Sequence, residues 1–121
     1  MIEVRECSKA FGSVKAVNKA TLDIGDREVF GLVGSNGAGK STLLRMMAGI
    51  IRPDAGEILI DTLPVYENED AKKLFFYISD DSYFPSNYTA TDMVRFYRNF
   101  YPEFRIKLFH ELMDQFHLEE R

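Results

Sequence analysis

Apolar and polar residues along this chain change their period twice, and each change marks a different kind of element. Ile2 and Val4 alternate with Glu3 and Arg5, the two-residue period of a half-buried strand over residues 1–7. Residues 15–24 alternate less cleanly, with Val17, Ala20, Leu22 and Ile24 as the inward set. The loop between them, residues 8–13, carries Phe11-Gly12, and Gly25-Asp26 reads as a turn. Val29-Phe-Gly-Leu-Val33 is a continuous apolar run, which predicts a buried strand. A helix is expected over residues 40–50, with Gly49 near its end and Pro53 barring its continuation. Residues 57–61 then read as a short strand, 67–73 as one polar helical turn, and 74–79 as a second apolar strand.

The second change comes after residue 79. Of sixteen Phe and Tyr residues, thirteen lie between Phe75 and Phe116. Residues 80–88 form a polar and aromatic loop with Pro85, and Thr89 three places before Asp92 predicts a helix N-cap with an acid in the first turn. Met93, Phe96, Tyr97 and Phe100 share one helical face. Beyond Pro102, Phe109, Met113 and Phe116 share another, beside Leu108 and Leu112. Stripes of this kind predict core rather than a cofactor box.

Between the run 29–33 and the helix stands Gly34-Ser-Asn-Gly-Ala-Gly-Lys-Ser-Thr42, which has the spacing G-x-x-x-x-G-K-[ST] of a phosphate-binding loop. Glycines permit positive φ and close backbone approach, so successive N–H groups can turn inward on a polyphosphate. A helix that starts at the loop adds its free N–H groups and the positive end of its dipole. Lys40 would reach the β- and γ-phosphates and the Ser41 hydroxyl would complete a Mg²⁺ shell, so the chain is expected to hold a nucleoside triphosphate.

Composition narrows the rest. At 121 residues the chain is one domain or part of one, and 45% apolar content fits a folded globular protein. Fifteen basic against nineteen acidic residues give a net charge of −4, unlike the basic stripe of a nucleic-acid binder. The lone Cys7 excludes a disulfide framework, and no Cys/His spacing suggests zinc. With no signal segment and no long apolar run, a soluble, cytoplasmic protein is expected, with any membrane role through a partner.

The runs Glu28-Val-Phe-Gly-Leu-Val-Gly-Ser-Asn-Gly-Ala-Gly-Lys-Ser-Thr-Leu-Leu-Arg45 and Ala48-Gly-Ile-Ile-Arg-Pro-Asp-Ala-Gly-Glu-Ile58, with the strand pair before them, resemble the ATP-binding subunit of ABC transporters. The likeness runs from about Met1 to Tyr101. It implies an α/β P-loop NTPase fold, with an N-terminal antiparallel β subdomain, a RecA-like core and the start of a helical subdomain. On this reading residues 1–79 hold the β subdomain and phosphate-loop core, and residues 80–121 the metal-sensing loop and the start of the helical subdomain. The resemblance also implies that ATP closes two such subunits head to tail, and that closure drives a membrane-embedded permease at the inner face of the cell membrane.

Position by position, Phe11 matches the aromatic that stacks on adenine; as a residue alone it reads equally as a loop hydrophobe folded under the sheet. Asn36, Gly37, Ala38, Gly39, Lys40, Ser41 and Thr42 match the phosphate loop, with Ser35 where a proline is often found. Asp80 falls where the family places its metal-sensing glutamine; it reads as a Mg²⁺ ligand beside Ser41 or as a solvated loop acid. The following loop matches the region that faces the transmembrane partner, and Tyr83, Phe84, Pro85 and Tyr88 would suit a docking surface.

The family's LSGGQ-like signature, its strand ending in Asp-Glu and its switch histidine are not recognisable in the chain. Asp61 and Asp80 each end an apolar run and imitate the acidic strand; His110 and His117 are expected on a solvated helical face. The expectation is therefore the N-terminal portion of such an ATPase, which binds ATP and Mg²⁺ without hydrolysing by itself. Missing sheet neighbours would leave Phe30, Leu32, Phe76 and Ile78 with exposed apolar edges. Two other readings stay open. One is a small nucleotide kinase that uses Asp61 or Asp80 for magnesium, with Arg95, Arg98 and Arg105 as phosphate clamps; the other is a non-catalytic partner of a full-length ABC ATPase.

Overall fold

Two antiparallel hairpins make the sheet of this protein. The computed structural model describes residues 1–81 and 84–119 and divides into two units, Met1–Tyr77 and Ile78–Arg121. In the first unit β1 (Ile2–Phe11) and β2 (Val14–Ile24) join through the turn Gly12-Ser13. β3 (Ala55–Ile60) and β4 (Leu63–Pro64) join through Asp61 and Thr62, both at positive φ as tight hairpins require. The strand order is β2-β1-β3-β4.

Bulges explain the uneven alternation of the sequence. Val4 pairs with Leu22 and Cys7 with Ala20, so β1 holds an extra residue at Glu6, whose φ is 46°. Lys9 then pairs with Val17, which puts an extra residue into β2 at Lys19, φ 48°. Each bulge N–H meets a cross-strand hydroxyl: Glu6 N donates to Thr21 Oγ1 at 3.0 Å and Lys19 N to Ser8 Oγ at 2.9 Å. A third slip leaves Ala16 unpaired between Lys15 and Val17. Because the first bulge shifts the phase, Val4 and Cys7, three residues apart, both face the core. Opposite Glu6 on β3 sits Gly56 at φ 80°, where a Cβ would stand 2.3 Å from the Arg5 carbonyl oxygen and 2.5 Å from that of Glu6. Only glycine fits there.

α1 (Lys40–Met47) packs Leu43 and Met46 onto Val4, Cys7, Val17, Ile58, Ile60 and Val65. Its C-terminus is a Schellman turn: Ile50 N donates to Arg45 O and Gly49 N to Met46 O, with Gly49 at φ 67°. The expected polar turn is α2 (Glu69–Lys72), capped by the Asn68 side chain.

Two expected strands differ from the structure. Residues 29–33 and 74–79 join no ladder of the described sheet. Val29 and Val33 are almost fully exposed, and Phe30, Phe76 and Ile78 are exposed as expected of apolar residues without sheet neighbours. A continuous apolar run encodes a strand that needs ladders on its sides, and the antiparallel sheet does not extend to these segments. Leu32 and Phe75 nevertheless pack against the core.

In the second unit α3 (Ala90–Arg98) starts with the expected cap: Asp92 N donates to Thr89 Oγ1, and Thr89 N donates to Asp92 Oδ2 at 3.0 Å, a reciprocal capping box. α4 (Ile106–Gln115) follows. The apolar stripes differ from the expected core. α3 has no buried residue, Phe96 and Phe100 are exposed, and on α4 Met113 is buried while Leu108 and Leu112 are not. Two short helices present too little surface to enclose so many rings, which instead touch along the stripe, as Phe96 and Phe100 do at 5.2 Å between centroids.

Gly56→Ala is expected to destabilise the protein by about 1–3 kcal/mol, through strain and the clash with the bulge. An unchanged denaturation midpoint would mean that β3 shifts off the bulge freely. Thr89→Ala should cost α3 about 1 kcal/mol. Hydrogen exchange at the first-turn amides reads this out, and Thr89→Ser should restore protection.

Candidate phosphate-loop site

Residues 34–39 run directly into α1, and two left-handed glycines shape the turn, Gly37 at φ 82° and Gly39 at φ 90°. Gly37 faces open space, whereas a Cβ on Gly39 would stand 1.9 Å from the carbonyl oxygen of Ala16. The bulged residue of β2 thus presses its main chain against the last glycine of the loop. Ala38 N donates to Ser35 O at 3.2 Å and closes the turn.

α1 has Gly39 as its N-cap, no side-chain cap and no acid in its first turn. Its first N–H groups and dipole therefore face the loop without a side chain to offset them. Lys40, Ser41 and Thr42 are its first three residues. The Lys40 ammonium curls back over the loop and donates to the carbonyls of Gly34 and Ser35, the latter at 2.7 Å. A phosphate oxygen would offer that ammonium a charged acceptor in place of two neutral ones. Asn36, Gly37, Ala38 and Ser41 are exposed. Gathered here are a turn of backbone amides, an uncapped helix start and a positive charge, the components of a polyphosphate cradle.

Phe11 ends β1 opposite Val14 and is 50% exposed, so it is not folded under the sheet. Val14 lies two residues along β2 from Ala16, about 7 Å, which sets the ring and the loop at the same end of this hairpin. The Lys9 ammonium lies over the Phe11 ring, 5.6 Å from its centroid. Lys9 Nζ also donates to Asp54 Oδ1 at 2.8 Å, and Ala10 N donates to Asp54 Oδ2 at 2.8 Å. The Lys9 hydrogen bond, and then that of Ala10, hold the Asp54 carboxyl below the ordinary aspartate value. Lys9 does not stand out in the sequence, and Asp54 does so only as part of the run 48–58 that carries the family resemblance, with no role read for it. Lys9 shares Phe11's side of the strand by its two-residue spacing, but a contact to a residue 45 positions away leaves no local signal.

Asp80 belongs to the second unit, exposed in a turn. Phe84 and Tyr88 are exposed there, and Tyr88 N donates to Pro85 O at 2.9 Å. Tyr83 lies outside the described residues. Asp61 stands in the turn of an antiparallel hairpin, at φ 46°. His117 follows α4 at φ 52°. Among the described residues no helix is long and apolar enough to cross a membrane.

Comparison with known proteins places this geometry. The ABC transporter family profile matches residues 17–121. The ABC transporter ATP-binding protein YtrB of Bacillus subtilis is 35% identical over 120 residues, covering 99% of this chain and 41% of its own length. A solved ATP-binding subunit of an ABC transporter superposes with a TM-score of 0.85 at 25% identity, covering 99% of this chain and 52% of that one. The dimeric post-hydrolysis structure of the ATP-binding cassette MJ0796, bound to ADP and Pi, superposes over 61% of this chain and 34% of its own, with a TM-score of 0.53 at 25% identity. The chain thus spans about half or less of the proteins it matches. The P-loop NTPase fold class expected from the loop and its flanks holds. Loop, helix and matched relatives agree: the chain belongs to the ABC transporter family and carries part of its ATP-binding cassette.

Proposed function

We propose that this chain is part of the ATP-binding component of an ABC transporter, which couples ATP binding and hydrolysis to transmembrane transport. The observation that carries the reading is the loop itself: Gly39 pressed against Ala16, with Lys40 poised over a turn that opens on the uncapped start of α1. Backbone amides of residues 36–42 would hold the phosphates, Lys40 would leave its carbonyls for the β- and γ-phosphates, and Phe11 would stack on adenine. Mg²⁺ bound with the phosphates would take the Ser41 hydroxyl as a ligand, since Ser41 is the exposed second residue of the helix. A role for Asp80 in holding Mg²⁺ rests on the resemblance alone.

The partners on this reading are a second ATP-binding subunit and a transmembrane permease, at the cytoplasmic face of the membrane. Exposed Phe84 and Tyr88 support the loop of the second unit as the permease contact. By itself the chain would bind ATP without hydrolysing it. The kinase reading has two acids open to it for magnesium: Asp61 lies in a hairpin turn of the antiparallel sheet, and Asp80 stands exposed in a turn of the second unit. Its arginine clamps are exposed, and Arg95 is paired with Asp92 at 3.3 Å.

Lys40→Ala should weaken ATP binding by about 1.5–3 kcal/mol, roughly 10- to 150-fold in affinity. Titration calorimetry with ATP decides it, and undiminished affinity would remove the phosphate-loop reading. The two left-handed glycines should separate cleanly. Gly37→Ala meets only the left-handed penalty of about 1–2 kcal/mol, whereas Gly39→Ala must also move β2. The second variant should therefore lose more stability and more ATP affinity. Equal losses would mean that the contact with Ala16 does not set the loop.

A further inference from the structure

We propose that Lys9 and Asp54 are a positioning pair that fixes Phe11 for stacking on adenine, an inference that rests on the reading of Phe11 as the base contact. The ladder between β1 and β3 ends where Ser8 meets Ala55. Residues 9–11 continue past that point with β2 alone beside them, and a two-stranded tip is marginal in water. Asp54 takes over where the ladder stops. Its N–H donates to Ser8 O at 2.8 Å, its Oδ2 accepts from Ala10 N, and its Oδ1 accepts from Lys9 Nζ. One residue thereby grips three successive residues of the strand just before Phe11.

Lys9 carries the grip to the ring. Its side chain is only 17% exposed, and its ammonium lies 5.6 Å from the centroid of Phe11, on the ring face. A ring has two faces. With the cation on one and the residue half exposed, the opposite face is left for a base. Stacking on a ring held in one plane costs less entropy than stacking on one that must first be ordered. Asp54 is also the residue by which the chain leaving α1 returns to the sheet, seven residues beyond the end of that helix. The segment that exits the phosphate-binding helix thus holds the base contact.

The test compares two ligands on the full chain, ATP and inorganic tripolyphosphate, by equilibrium binding. Lys9→Met and Asp54→Asn should each lower ATP affinity about three- to tenfold and leave tripolyphosphate affinity unchanged. Lys9→Arg should retain ATP affinity, since guanidinium supplies the same charge to the ring and to Asp54. In a Phe11→Ala background, Lys9→Met should have no further effect on ATP. If Lys9→Met lowers both ligands alike, or has its full effect without Phe11, the pair acts on general stability and the inference is overturned. It is also overturned if Phe11→Ala lowers ATP affinity while Lys9→Met does not. If Phe11→Ala itself leaves the ratio of ATP to tripolyphosphate affinity unchanged, the adenine reading fails and takes this inference with it. Should Asp54→Asn prevent folding, Lys9→Met, which keeps an unbranched apolar stem and removes the charge, decides the question alone.

Discussion

The contact on which the site depends is a main-chain one, between the Gly39 Cα and the Ala16 carbonyl. A phosphate loop must hold several N–H groups convergent before any ligand arrives, and side chains are poor at this because they cost rotamer entropy. Backbone against backbone does it without that cost, provided one partner lacks a Cβ. Here the requirement is severe, since a Cβ at Gly39 would overlap the Ala16 oxygen at 1.9 Å. The oxygen is where it is because β2 slips by one residue at Ala16, between the pairings of Lys9 with Val17 and Ala10 with Lys15. A bulge re-aims the backbone it interrupts. The geometry of the loop is therefore set partly by a register defect in a hairpin more than twenty residues earlier in the chain.

The same economy recurs around the unit. Gly56 lets β3 approach the Glu6 bulge, and Gly49 turns the chain out of α1 where a Cβ would stand 2.7 Å from the Val65 carbonyl oxygen. Gly39, Gly49 and Gly56 thus each mark a place where main chain meets main chain at positive φ. Between them they fix the two ends of α1 and the strand to which it returns. Leu43 and Met46 then bury one face of the helix on the sheet, each worth about 1.5–3 kcal/mol of transfer free energy. The packing supplies the energy and the glycines supply the register. Neither alone would hold Lys40 over the loop.

What was legible in the sequence is what is encoded within a few residues. The N-cap of α3 at Thr89 with Asp92 in its first turn and the single turn of α2 depend on side chains two or three positions apart, the start of α1 follows directly on the glycines before it, and these elements stand as expected. The first hairpin was legible in outline, but its bulges surfaced only as an alternation that was not clean. The errors are non-local. An apolar run at 29–33 says that the segment is made to be buried on both sides, and it cannot say which strands would do so. Val29 and Val33 stand exposed because the four-stranded sheet lies elsewhere. The aromatic stripes of α3 and α4 failed for the same reason: periodicity identifies a face, and only tertiary structure supplies what covers it. The part of the site carried by Lys9 and Asp54 was invisible for a third reason, since an ion pair across 45 residues has no period at all.

The exposed run before the loop also bears on how the loop is held. A segment entering a phosphate loop as a free apolar run would transmit no order to it, yet Gly34 and Ser35 are tied to Lys40 and Gly39 is seated on β2. Of the run itself Leu32 alone reaches the core cluster, two residues before the loop begins. The loop is therefore anchored from its C-terminal side, by α1 and the hairpin, and its N-terminal side is joined to the core through one leucine. When Lys40 exchanges the carbonyls of Gly34 and Ser35 for phosphate oxygens, Ser35 O keeps the hydrogen bond from Ala38 N that closes the turn. The glycines and the start of α1 are held by main-chain packing and by the core before any ligand arrives.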